Sequence, residues 1–307
     1  MSVSVSAIIT TYNRACYLEK AINSVLDQSY KDFELLILDN SSTDGTEAVV
    51  NRYNDDRIRY IRHEPMNISQ TRNLGVRLAK GEWIAFLDDD DEWLPNKLSA
   101  EISLFNLSSS DTALVYGGFI RVDSNGKTLC EYQSALHGSV LKDLLMLHDD
   151  FTGSASNPML KKSAVLALNG FDENVKTGED WEFYLRLAEK YKVAVISEPI
   201  VRVRHHHGAR LGDRLKDYID LEMKVMDRFE RIFQSDIKLR SFYLQRLGGK
   251  YIRLGNTREG FKYLFKSIYT NIFNGYAYLQ VLSAVFGQQA YNRCHQWYLN
   301  IRRPFRA

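Results

Sequence analysis

The sequence predicts an α/β fold: a mostly parallel sheet flanked by helices, followed by an all-helical C-terminal extension. Three observations point there. Short apolar runs alternate with segments of helical spacing from residue 3 to residue 107, the pattern of βαβ units. Several of those runs end abruptly in polar or acidic residues, as at Thr11-Tyr12, Asp39-Asn40 and Asp88-Asp89-Asp90-Asp91. Beyond about residue 211 only the helical period remains.

Residues 3–11 are apolar and β-rich and predict a first buried strand, broken by Tyr12-Asn13-Arg14. Leu18, Ala21, Ile22, Val25 and Leu26 then follow at helical spacing. Residues 33–38 predict a second strand, and the N-cap-rich turn Ser41-Ser42-Thr43-Asp44-Gly45-Thr46 leads into a helix. Residues 58–62 predict a third strand and residues 67–79 a third helix, stopped by Lys80-Gly81. The fourth strand begins at Trp83 and runs into the acidic cluster. Uninterrupted apolar runs of this kind belong to strands buried on both faces. A helix over 95–107, a hairpin over 113–123 and 128–133, a small-residue loop over 151–157, and helices over 139–147, 162–168 and up to Tyr191 follow. Two short strands, 193–196 and 200–203, precede His205-His206-His207. Helical segments over 218–233 and 249–271, the second turning at Gly255-Asn256, lead to an aromatic last stretch. The expected division is 1–210 and 211–307.

Composition narrows the function. The chain has 307 residues, 3 widely spaced cysteines with no CxxC pair, and a net charge of +2. That fits a reducing, cytoplasmic setting and no nucleic-acid partner. No N-terminal leader and no bilayer-length apolar run of about 18 residues is read. The charge is uneven: residues 236–307 hold 12 Lys and Arg against 2 Asp and Glu, so the remainder is acidic. The basic, aromatic tail ending in Arg302-Arg303-Pro304-Phe305-Arg306 reads either as a packed helical cap or as attachment to an anionic membrane surface.

Four adjacent aspartates at a strand end repel one another and call for positive charge, which a divalent cation on a phosphorylated ligand supplies. Ligands in open α/β sheets bind beyond the carboxyl ends of the strands. Strand alternation places Asp88 and Asp90 on one face and Asp89 and Asp91 on the other. Asp91 reads instead as a cap of the helix after Pro95.

Taken in order, Thr10-Thr11-Tyr12-Asn13, Asp39 to Thr46, Arg72-Asn73-Leu74-Gly75, Phe86 to Asp91, and Glu179-Asp180-Trp181 resemble glycosyltransferase family 2, inverting sugar-nucleotide transferases of the GT-A fold. The resemblance covers residues 3–208. It implies that Thr11 and Tyr12 line the nucleotide pocket, that Asp39 accepts from the uracil imide, and that Arg72 approaches base or diphosphate. It further implies that Asp88 and Asp89 address ribose and sugar, that Asp90 binds Mn²⁺ or Mg²⁺ with a histidine, His206, and that Asp180 is the catalytic base. Glu179 and Trp181 would lie on the acceptor side. The implied donor is a UDP-sugar. The implied acceptor is a glycan or lipid-linked saccharide in bacterial surface polysaccharide (O-antigen or capsule) synthesis, at the inner face of the membrane. Each residue has a plainer alternative. Asp39, Glu179 and Asp180 could cap helices, Arg72 could pair with surface acids, Trp181 could be core, and the histidines a basic turn. A nucleotidyltransferase and a non-catalytic nucleotide-sugar-binding module are the competing functions. The first lacks a Gly-rich signature after the first strand, and the Asp180 region counts against the second.

Overall fold

The computed structural model describes residues 3–147, 151–205 and 214–302. The chain forms two compact units, Met1–His207 and Gly208–Ala307.

The first unit opens with β1 (Val5–Thr11), α1 (Ala15–Leu26), β2 (Phe33–Asp39), α2 (Thr46–Val50), β3 (Ile58–Arg62), α3 (Ile68–Leu78) and β4 (Trp83–Asp88). β1 lies between β2 and β4, with β3 outside β2, and all these pairings are parallel. Every residue of β2 is buried, as its apolar residues Phe33 and Leu35–Leu38 require of a strand covered on both faces, and Glu34 within it is paired with Arg59 at 2.6 Å. The unit continues through β5 (Glu92–Trp93), α4 (Lys97–Leu107), β6 (Thr112–Val122), β7 (Thr128–Tyr132), α5 (Leu141–Leu147), β8 (Met159–Lys161), α6 (Lys162–Ala167), α7 (Glu179–Lys190) and β9 (Lys192–Arg204).

The sheet runs β3-β2-β1-β4-β8-β6-β9-β5, with β7 on β6. It is therefore mixed, and the expectation of a mostly parallel sheet holds for β3-β2-β1-β4 and for the β6–β9 pair, while β8, β5 and β7 pair antiparallel. β8 is antiparallel to both β4 and β6, because the chain enters it from a loop and not through a helical crossover. The two strands expected over 193–203 are one strand, β9, irregular where it passes Gly117 and Gly118. β5 and β8 are too short to show a period and had no sequence signal.

The second unit is helical: α8 (Leu215–Arg228), α9 (Glu230–Ser235), α10 (Ile237–Arg253), α11 (Thr257–Thr270), α12 (Gly275–Val285) and α13 (Gln288–Arg302). The single helix expected over 218–233 breaks at Phe229, which is buried. α10 and α11 form the expected hairpin, turning at Gly255 with φ +81°. Ile252, Leu264, Ala284 and Tyr291 make its core. Buried Glu222 is held by Arg246 (2.9 Å) and Lys250 (2.7 Å), so its charge is paired. Among the described residues no helix is long and apolar enough to cross a membrane.

Candidate active site

Three parallel strands end flush. Thr11 pairs with Asp39, and Thr10 with Asp88, so the polar ends of β1, β2 and β4 share one edge of the sheet. That edge is where the topology favours a ligand.

Past Asp88 the chain turns at once: the Asp91 N–H donates to the Asp88 carbonyl at 3.1 Å. Strand alternation therefore does not sort the aspartates, and the expected sharing of a face by Asp88 and Asp90 is corrected. Asp89 and Asp90 instead share one guanidinium, Arg14 Nη1, at 3.1 and 2.5 Å. Asp88 Oδ1 accepts from Arg72 Nη2 at 3.2 Å. Asp91 turns inward. It accepts from the Ser154 and Ser156 hydroxyls (2.8 and 2.6 Å) and from the Arg204 N–H (2.8 Å). It does not cap α4, whose N-cap is Asn96. Burial, then the charges of Asp88 and Asp90, push Asp91 up to about 8 against the pull of the Ser156 and Arg204 donors. Burial likewise pushes Asp89 up to about 6, opposed by the Thr11 hydroxyl and Arg14.

The Arg72-Asn73-Leu74-Gly75 run performs three tasks on successive sides of α3. Gly75 lets the helix lie against the sheet, since a Cβ there would stand 2.9 Å from Ile8 Cγ2. Asn73 clasps the loop ahead of α7, donating to the Phe171 carbonyl (2.9 Å) and accepting from its N–H (2.8 Å). Arg72, buried between Phe86 and Phe171, reaches Asp88 on one side and Glu179 Oε1 (2.8 Å) on the other. It thus joins the strand edge to the start of α7 and does not point at solvent.

α7 begins after Gly178 in the left-handed region, φ +68°. Asp180 is the second residue of α7, and its Oδ1 accepts from the Trp181 N–H at 2.7 Å. Burial, then Glu179, push Asp180 up to about 6, with Arg72 and the Trp181 N–H acting the other way. Trp181 is 6% exposed and its indole donates to the Leu144 carbonyl at 3.2 Å. Trp181 is thus packed against α5 at the start of α7, and Glu179 faces Arg72.

Tyr12 is exposed at the same edge and Thr11 is buried beneath it. Asp39 is fully buried and already holds the Ser42 N–H (2.9 Å) and the Tyr60 hydroxyl (2.6 Å). A carboxylate has further lone pairs for a base edge. His206 lies outside the described residues. Arg204, two positions before it, docks on the acidic turn through the Asp90 carbonyl (3.0 Å) and Glu92 (3.0 Å). Arg14, Ser154, Ser156 and Arg204 escape a sequence reading, because each is ordinary in type and reaches the cluster only through the fold. The acidity of the cluster was the one available hint that bases must converge.

As to a metal, no three His, Cys, Asp or Glu side chains converge among the described residues. A Mg²⁺- or Mn²⁺-nucleotide needs only one or two carboxylates, the phosphates and water filling the rest. Asp90 and its neighbours are hard oxygen donors and suit that role once Arg14 leaves Asp90.

The family model for glycosyl transferase family 2 matches residues 6–165. An uncharacterized glycosyltransferase of Rickettsia conorii is 32% identical over 203 residues, 65% of this chain but 32% of that protein. A Rickettsia bellii relative is matched over 18% of its length, so this chain corresponds to a minor part of both. TuaG of Bacillus subtilis, whose name assigns it to teichuronic acid biosynthesis, is 29% identical over 199 residues, 61% of this chain and 72% of that protein. Among solved structures, S. aureus TarS with UDP-GlcNAc superposes with TM-score 0.64 at 16% identity, covering 97% of this chain and 92% of that one. The mannosyltransferase PcManGT from Pyrobaculum calidifontis, with GDP-Man and Mn²⁺, gives 0.59 at 17%, covering 95% and 82%. These likenesses are of fold. With the family model spanning more than half of the chain, the protein belongs to glycosyl transferase family 2.

Proposed function

We propose that the chain moves a sugar from a UDP-sugar to a hydroxyl of a glycan acceptor, inverting the anomeric centre, within bacterial surface polysaccharide synthesis on a lipid-linked saccharide. The observation that carries the reading is the bridge made by Arg72. It ties Asp88, at the edge where the strands end, to Glu179, beside Asp180 on α7. Carboxylates from the end of β4 and the start of α7 are thus held together, which supports a donor side and an acceptor side at one place.

In this reading Tyr12 covers the base, Thr11 and Asp39 line its pocket, and Asp88 and Asp89 hold ribose and sugar. Asp180 takes the acceptor's proton as the oxygen forms its bond to the anomeric carbon. The bond to the diphosphate breaks on the opposite face and UDP departs. Asp180, raised to about 6 by burial and Glu179, is ionised near neutral pH and still basic enough to accept that proton. Asp90, with His206, would hold a Mn²⁺ or Mg²⁺, which supplies charge stabilisation to the leaving diphosphate when bound. The GDP-Man and Mn²⁺ of PcManGT and the UDP-GlcNAc of TarS support a nucleotide-sugar donor, and the name of TuaG supports a polysaccharide product.

Asp180→Asn tests the assignment. Removing a general base costs roughly 10²–10⁴-fold in turnover. UDP release should therefore collapse while calorimetric donor affinity is kept. Unchanged release would remove Asp180 from the reaction.

A further inference from the structure

From Ser267 to Asn292 the sequence contains no Asp, Glu, Lys or Arg. This stretch spans the end of α11, all of α12 and the start of α13. α12 buries Ala277, Gln280 and Ala284 on one side. Its other side presents Tyr278, Leu282 and Val285 at i, i+4 and i+7, all exposed, and leads into Phe286 at 80% exposure. On α11 the exposed face carries Tyr269 at 91%, and the connection to α12 holds Ile272 and Phe273, the latter at 88%. A globular surface rarely leaves so many large apolar side chains together without something to cover them.

The charges around the patch identify what covers it. Lys262, which pairs with Glu259 at 2.9 Å, and Lys266 lie on the exposed side of α11, and Arg293 is exposed on α13. The segment from residue 236 onward holds 12 basic residues against 2 acidic ones. A symmetric contact between two copies would set these like charges against one another, whereas an anionic surface would neutralise them. Among the described residues no helix is long and apolar enough to span a bilayer, and an exposed apolar face of this kind suits the interface plane.

We propose that this face docks on the surface of an anionic lipid bilayer. Phe273 and Phe286 enter the boundary between headgroups and acyl chains, and Lys262, Lys266 and Arg293 sit at the phosphates. The attachment lies in the folded α11–α13 surface. The terminal run from Arg302 to Arg306, whose placement falls outside the described side chains, is not needed for it. The proposal goes beyond the transfer reaction and does not rest on it.

Flotation of the full chain with phosphatidylcholine vesicles, with and without phosphatidylglycerol, tests it. Binding should appear on the anionic vesicles and fall away in high salt. Phe273→Glu/Phe286→Glu should abolish it, with an unchanged circular dichroism melting curve because both side chains are exposed. Lys262→Glu/Lys266→Glu should weaken it by about tenfold or more, each basic residue near such a surface being worth ~1 kcal/mol. Three outcomes would overturn the proposal. One is no flotation on anionic vesicles. The second is equal flotation by the Phe variant. The third is concentration-dependent self-association in sedimentation that the same substitutions abolish.

Discussion

At Arg72 one guanidinium separates carboxylates that would otherwise repel, Asp88 on β4 and Glu179 on α7. Its planar fork reaches both at once, which a lysine cannot do. Arg72→Met leaves the two acids facing each other. Because Asp88 is partly exposed, the cost should fall near the low end of the range for a broken buried pair, about 3 kcal/mol, read from the urea midpoint. Arg72→Lys should recover part of it. The proposed role of Asp180 carries a pH dependence. Its carboxyl is raised to about 6 by burial and by Glu179, so in the proposed reaction it would act as base only above that value. The profile of kcat/KM should lose activity as pH falls through about 6. Glu179→Gln removes a like charge, lowers the Asp180 pKa and should move the acid limb to lower pH. The linkage has the matching sign. A carboxyl raised on folding contributes stability that is fully present below its unfolded value of about 4, and that contribution is lost as pH rises through about 6. An acid limb that does not move in Glu179→Gln would remove Glu179 from the control of that group.

α3 carries the largest share of the site relative to its length. Arg72 serves the carboxylates, Asn73 clasps the loop before α7, and Gly75 sets the distance of the helix from β1 and β2. Gly75→Val would drive a side chain into Ile8 and Leu38 and lift the helix. The expected cost is about 1–3 kcal/mol, with UDP affinity falling in the same variant. Unchanged affinity by calorimetry would show that the position of α3 does not govern the site. The four parallel strands and their helices are legible in the chain because each is an apolar run or a helical period of adequate length. β5 and β8 are not, since two or three residues hold no period. The site is legible where a strand end coincides with an unusual residue, as at Asp39 and Asp88. It is illegible where an ordinary residue arrives from far along the chain. Ser154, Ser156 and Arg204 meet Asp91 across more than sixty positions, and only the assembled sheet brings them there. The acidic run read as a strand alternation fails for a related reason, because the chain turns at Asp88.

For the first unit as a whole, a site assembled from the ends of β1, β2 and β4 and the start of α7 should respond to its ligand as one body. With UDP and Mn²⁺ together at ~100 times the dissociation constant, ligand linkage amounts to ~2.7 kcal/mol, and the unfolding midpoint of the first unit should rise accordingly. UDP alone should raise it less, and equal shifts with and without Mn²⁺ would argue against a cation at Asp90. The flush ending of β1, β2 and β4 also bears on where the chain tolerates change in length. Gly81 packs against the backbone of Ser4, Val5 and Ser6, and Ile84 and Ala85 are buried and paired with β1, so a single residue added between Trp83 and Phe86 must push the rest of β4 along its neighbours. That slip would swap the faces of Phe86, Leu87 and Asp88 together. The same added residue at Asn125-Gly126, the tip of the β6–β7 hairpin, merely lengthens an open turn. Descendants of this chain should therefore vary in length at the hairpin tip and keep their spacing ahead of the aspartates.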